Sequence, residues 1–218
     1  MFKDEINHLS EFFGKDIYQQ ELNDASTEFS SKIGKVFEDE PMYENWSTTF
    51  YHWYLFDRAM TGLAIPPIYL YERLFADQLS EVQKKMHDSF MDSRLSLFQI
   101  ESISKVVVAR DLIRDLRLSI SGYEVPSFLK RGELAILRVF SDGEFSGKME
   151  EEWYFPENVT QSVIRQVEMT GNKKTFVFEL IRRKLFAEKF SHVPIEEIFS
   201  WNPTSSLEQK FKLSESLQ

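Results

Sequence analysis

The stretch Phe50-Tyr51-His52-Trp53-Tyr54-Leu55-Phe56-Asp57 constrains the fold more than any other, because it gathers five aromatic rings and a leucine into about two helical turns. Phe50, Trp53 and Phe56 recur at spacings of three with Tyr54 beside them, so on a 3.6-residue helix these rings share one broad face. A face that apolar has to be covered by protein. The helix therefore belongs to the interior, and the rest of the chain must be assembled against it.

There is material for such an interior. The 218 residues include 20 phenylalanines, and each buried ring removes roughly 150–250 Å² from water. That length suits one substantial domain or two small ones sharing an interface. The eight glycines form none of the G-x-G-x-x-G, G-x-x-x-x-G-K-[ST] or G-x-S-x-G patterns, so no phosphate loop or nucleophile elbow is predicted. The chain has no cysteine, which excludes disulfides, thiolate metal sites and cysteine nucleophiles. Met1-Phe2-Lys3-Asp4-Glu5 carries acids where a secretory leader needs a basic region, and no segment has the apolar length of a membrane span. A cytoplasmic protein without membrane partner or cofactor is expected.

A net charge of −9 argues against nucleic acid as the default partner. The charge is uneven. Residues 1–45 hold eleven acids against four lysines, whereas residues 172–190 hold six bases against two acids. Pairing of the two segments within the fold, or solvation of helix faces, accounts for both.

In chain order, Ile6, Leu9 and Phe13 mark a first helix, and Ile17, Leu22, Phe29, Ile33 and Phe37 a second beyond Gly14. A helix starting near Pro41 carries the aromatic stretch and ends by Gly62. Ile65-Pro66-Pro67 blocks continuation, Ile68 to Phe75 makes a short helix, and Ser80-Glu81-Val82-Gln83 has the form of a capping box opening a helix to Met91. From Ser93 the period becomes two, with Phe98, Ile100, Val106, Val108, Leu116, Leu118 and Ile120 as the alternating apolar positions, then Leu134 to Phe140; Ser141-Asp142-Gly143 is a hairpin signal. Pro156-Glu157 opens a helix broken at Gly171-Asn172. Thr175 to Phe190 forms the next, with Phe178, Ile181 and Leu185 inward and Arg182, Arg183 and Lys184 outward. The predicted architecture is α+β: a helical part, residues 1–92, a small antiparallel β module of four or five strands, 93–156, closing helices, 157–200, and a polar tail, 201–218, fraying beyond Ser205.

Two anchors, Phe50-x-x-Trp53-x-x-Phe56-Asp57 in a helix and Leu129-Lys130-Arg131-Gly132-Glu133-Leu134-Ala135 leading into a strand, give residues 42–155 a resemblance to a group of uncharacterised bacterial proteins, many of which carry a SEC-C zinc tail. That tail needs cysteines this chain does not have. The resemblance implies an accessory or adaptor role with no known reaction.

Among chemical constellations, His52 and Asp57 offer a base with an orienting carboxylate, or two metal ligands, for a hydrolase. Five residues apart they diverge by about 140° round a helix, so both are read as the polar edge of a core helix. His8, His87 and His192 stand singly. Glu38-Asp39-Glu40 and Glu150-Glu151-Glu152 read as solvated acidic runs. In the β module, Arg110, Arg114, Arg117, Lys130 and Arg131 with Tyr123 and Phe128 supply the ingredients of a single-stranded nucleic-acid surface, but Asp111, Asp115, Glu124 and Glu133 offset most of the field. The leading expectation is a non-enzymatic interaction protein that takes a peptide or protein at the sheet edge or in an aromatic groove between helical and β parts. Its partner-binding residues are Arg110, Arg114, Arg117, Tyr123, Phe128, Arg131, Arg182 and Arg183. No catalytic or metal-binding residue is assigned. The alternatives are single-stranded nucleic-acid binding and the His52–Asp57 hydrolase.

Overall fold

The computed structural model describes residues 2–122, 125–141, 146–202 and 204–209. The fold is α+β, with helices before and after a five-stranded barrel. Helices α1 (Phe2–Phe13), α2 (Gln19–Ile33), α3 (Tyr43–Phe56), α4 (Pro67–Phe75) and α5 (Glu81–Met91) come first. Two of these boundaries have a clear local cause. Proline begins α4 at a position whose N–H would have had no helical partner. Ser80 and Gln83 cap α5 reciprocally, as their spacing predicts. The second stripe is shorter than expected: Ile17 is 82% exposed because a 3-10 turn at 16–18 rotates it outward, and Phe37 lies beyond the end of α2 and is exposed.

The barrel comprises β1 (Arg94–Ile103), β2 (Val107–Asp111), β3 (Leu116–Ile120), β4 (Leu134–Ser141) and β5 (Ser146–Phe155). It closes in the order β1-β2-β3-β5-β4, the connectivity of Greek-key barrels of OB type. The expectation of a purely antiparallel module needs one correction, since β3 and β5 pair parallel. An odd number of strands cannot alternate direction all the way round a closed ring. One parallel seam is therefore required, and it falls at Ile120 and Ser146, where Ser121 also donates its N–H to the Ser146 carbonyl at 2.9 Å.

In β2 the inward residues are Val107 and Ala109 rather than Val106 and Val108. Three consecutive valines carry no alternation to read, and a bulge between Ile100 and Ser102 shifts the register with β1. In β3, Ile120 is inward, Leu118 is half-buried against the barrel core and Leu116 is exposed at the strand end. The Asp142-Gly143 turn signal lies outside the described residues.

Strand β4 joins the two cores. Ala135, Leu137 and Val139 point into the barrel with Phe98, Ile100 and Ile120, while Leu134 and Ile136 point outward. There they meet Met149, Trp153 and Phe155 of β5 and the rings of α3. Where Phe140 crosses Gly147, the ring occupies the space a Cβ would need.

Helices α6 (Glu157–Met169), α7 (Lys173–Lys189) and α8 (Ile195–Ile198) complete the main core with Val163, Leu180 and Phe199. Within the polar tail, residues 206–209 are helical, with Leu207 and Glu208 buried; the rest of the expected fraying lies outside the described residues.

Candidate functional site

Strand alternation puts Met149, Glu151, Trp153 and Phe155 on the helix-facing side of β5, and Leu134, Ile136 and Arg138 on that side of β4. Two ionised groups thus enter an otherwise apolar interface. Arg138 is 0% exposed and donates from Nε to Glu151 at 2.7 Å, from a terminal nitrogen to Ser93 at 3.3 Å, and to both carboxylate oxygens of Asp57 at the end of α3. The other oxygen of Glu151 faces Nδ1 of His52, which is 2% exposed. His52, Glu151, Arg138 and Asp57 therefore form one buried chain of alternating partners.

Burial pushes the Glu151 carboxyl up, but the neighbouring His52 and Arg138 outweigh it and hold it below the usual carboxylate range. Burial likewise works against the Arg138 charge, and the Asp57 and Glu151 carboxylates more than restore it, raising the guanidinium above its ordinary value.

The ends of this chain open separately. His52 lines a cavity of about 380 Å³ between α1, α3 and the β4–β5 pair, whereas Asp57 lines one of about 400 Å³ with Ser93, Arg114 and Lys174. Among the described residues the two side chains are linked through Glu151 and Arg138, and His52 and Asp57 line different cavities. Among the described residues no hydroxyl is bonded to Nε2 of His52, and no cluster of three potential metal ligands occurs.

A third opening, about 470 Å³, lies between the start of α3, β5, α7 and the loop before β4. Phe128 stands over it, 59% exposed, its ring edge-on to Tyr154 at 5.1 Å between centroids. Glu133, Glu152, Glu157 and Glu188 line the groove against a single lysine, Lys184, which Glu188 engages at 2.7 Å. A smaller opening of about 360 Å³ shares Met42 and Glu188 with it and adds Glu40 and its ion-pair partner Lys189. The surface is aromatic and acidic, and its Phe128 is held by the loop that Gly132 turns, at φ 92°, back to Ile100 through a 2.7 Å hydrogen bond.

The Family of unknown function (DUF7986) matches residues 3–185. The chain belongs to that family. The DUF7986 match takes in all four members of the buried chain and, in the groove, Phe128, Tyr154 and Lys184, ending before Glu188. No curated protein and no solved structure matches the chain.

Within this DUF7986 fold the residues expected to bind partners scatter. Arg110 and Arg117 are exposed opposite each other on β2 and β3, the face that OB-type barrels commonly use for oligonucleotides. Arg110 is engaged by Asp115 at 2.6 Å and Arg117 by Glu101 at 2.5 Å, and the strand residues beside them are Gln99, Val108 and Ser119 rather than aromatic. Arg114 helps close the β2–β3 turn, where buried Asp111 accepts from the backbone of Ile113 and Arg114 and from Ser96. Arg131 is exposed before Gly132, and Tyr123 lies outside the described residues.

The outward assignment of Arg183 is corrected. It is 2% exposed, binds Glu208 at 2.8 Å, Glu179 at 2.9 Å and the Ile198 carbonyl at 2.6 Å, and lies over the Trp201 ring at 4.6 Å. Arg182 is half-buried. The acidic start and basic helix do meet, at Lys189 and Glu40, 2.8 Å apart.

Arg138 and Glu151 are the residues that sequence reasoning passed over. A signal for each exists: Arg138 is the lone charge within Leu134-Ala135-Ile136-Leu137-Arg138-Val139-Phe140, and Glu151 shares the period of Met149, Trp153 and Phe155. Read as strand rather than as solvated loop, the run Glu150-Glu151-Glu152 sends its middle carboxylate inward.

Proposed function

We propose that the protein is a non-enzymatic cytoplasmic interaction protein whose groove under Phe128 takes a peptide or protein segment carrying a basic side chain. The observation that carries this reading is the exposed Phe128 ring held on Tyr154 above four glutamates and one lysine. An aromatic edge beside carboxylates suits a guanidinium or ammonium group through cation–π and charge-assisted contacts. The accessory role implied by the sequence resemblance is compatible with it.

The test is a titration of the short peptides Arg-Leu-Arg and Glu-Leu-Glu, read through tryptophan fluorescence, Trp153 being in the groove wall. The basic peptide should bind, the acidic one should not, and Phe128→Ala should weaken binding about tenfold, near 1.4 kcal/mol, at an unchanged melting temperature. Equal binding of both peptides, or binding indifferent to Phe128→Ala, would sink the proposal.

Single-stranded nucleic acid is the second reading, favoured by the barrel's strand order. Its cost is that Arg110 and Arg117 would have to leave their carboxylates. A labelled oligonucleotide in the same titration separates the two.

A further inference from the structure

The cavity of about 400 Å³ at the Asp57 end of the buried chain gathers positive charge that the fold leaves unmatched. Four parts of the molecule meet there. Ser93, Arg94 and Leu95 come from the start of β1, and Ile113 and Arg114 from the β2–β3 turn. Asp57 closes α3, and Lys174 and Phe178 lie in the first two turns of α7.

Three of these side chains are cationic and one is anionic. Both carboxylate oxygens of Asp57 accept from Arg138. Arg114 is shared with buried Asp111 at 3.4 Å. Arg94 and Lys174 have no side-chain hydrogen bond or ion pair among the described residues. Arg94 is half-buried, and its Nε is withdrawn from water without an acceptor. A guanidinium stays cationic across the pH range in which proteins fold, so this is a charged donor in need of a partner, and such a group is costly to leave unpaired. Native folds satisfy nearly all such atoms. Ser93 adds a second donor: its oxygen accepts from Arg138 at 3.3 Å, which leaves its own hydroxyl hydrogen to give. Between the donors the wall is apolar, formed by Leu95, Ile113 and Phe178, which pack on the main core and stay half-buried where they line the cavity.

We propose that this cavity binds a small phosphomonoester with an apolar body, its phosphoryl oxygens accepting from Arg94 and Lys174 and its body lying on Leu95, Ile113 and Phe178. Charge selects the phosphoryl group. Two unmatched cations call for a dianion, and a phosphomonoester carries roughly −1.5 to −2 near neutral pH. Its three acceptor oxygens also suit the planar fork of a guanidinium. A monocarboxylate would leave one cation unmatched. The apolar wall favours an organic body over free phosphate, and the volume falls within the roughly 300–1,000 Å³ of small-ligand sites. This site is separate from the groove under Phe128 and stands whether or not that groove takes a basic peptide.

Phenyl phosphate is the probe, titrated calorimetrically into the full chain near neutral pH and at physiological salt, with inorganic phosphate and benzoate as comparisons. It should bind with a Kd below about 1 mM, and each comparison about tenfold more weakly or worse. Arg94→Gln should weaken phenyl phosphate about tenfold with the melting temperature retained, since no hydrogen bond or ion pair among the described residues is lost. Lys174→Gln, at an exposed position, is the second variant and should weaken it by a similar factor, so the site is read even where Arg94→Gln disturbs folding. Lys173→Gln, one residue away and outside the lining, should leave the affinity nearly unchanged, which separates a site from general attraction to the basic helix. No saturable heat with phenyl phosphate below about 10 mM, equal affinity for phosphate or benzoate, undiminished binding in a folded Arg94→Gln or Lys174→Gln, or an equal loss in Lys173→Gln would each overturn the assignment.

Discussion

Glu151 is where the electrostatics of the interface are decided. Its two oxygens face the His52 ring and the Arg138 guanidinium, in a place where the carboxylate itself is fully buried. Glu151→Gln keeps the shape and removes the charge, leaving Arg138 its ion pair with Asp57 and its bond to Ser93. Breaking a buried pair from one side typically costs about 3–5 kcal/mol, and that is the loss expected at neutral pH. The pH dependence has a definite sign. A carboxyl held below its ordinary value of 4.5 contributes stability that is complete above that value and is lost as the pH falls through the depressed one. The parent should therefore lose stability more steeply than Glu151→Gln as acid is added below 4.5, and the gap between them should narrow. Urea unfolding at stepped pH checks this, and a gap that widened in acid would contradict the paired, ionised state of Glu151.

At the scale of elements, α3 and α7 contrast in how far periodicity reveals them. In α3 the rings chosen from spacing alone are buried, Phe50, Trp53, Tyr54 and Phe56 together, because a run so apolar admits few orientations. Trp53 packs on Phe29 at 5.1 Å, and Trp53→Ala should cost about 3–5 kcal/mol in chemical denaturation. In α7 the chain carries three adjacent bases, and spacing could not reveal that the middle one turns inward to Glu208, a partner 25 residues away. Long-range partners of a lone charge leave no periodic trace in sequence. The same limit hid the contact between Arg138 and Asp57, 81 residues apart, whereas caps and proline breaks, being local, were legible. Two variants separate neighbours on α7. Arg183→Glu should destabilise by several kcal/mol, since it sets a buried anion against Glu179 and Glu208, and should raise hydrogen exchange across 195–209. Arg182→Glu, at a half-buried position, should cost less than half as much. Equal losses would mean that the inward position of Arg183 carries no weight.

Across the whole molecule, the barrel and the helices share material that neither can give up. The outer faces of β4 and β5 supply Leu134, Ile136, Met149, Trp153 and Phe155 to the same core that holds α3, α6 and α7. Separating the parts would expose that apolar face, and it would also leave Glu151 and Arg138 without His52 and Asp57. The barrel's own core is small by comparison, built on Phe98, Ile100, Val107, Ala109, Ile120, Leu129, Ala135, Leu137 and Val139. A closed five-stranded ring with so few interior side chains gains too little to stand once its outer face is wetted. The expected outcome is a single cooperative unfolding transition rather than two. Far-UV circular dichroism follows the helices, tryptophan fluorescence follows the shared core through Trp46, Trp53 and Trp153, and native-state hydrogen exchange of Val107, Ala109 and Ile120 follows the barrel. All three should report one midpoint and one free energy. A barrel that kept its exchange protection after the helical signal was lost would show that the shared face is dispensable, and with it the structural role of the buried charge chain.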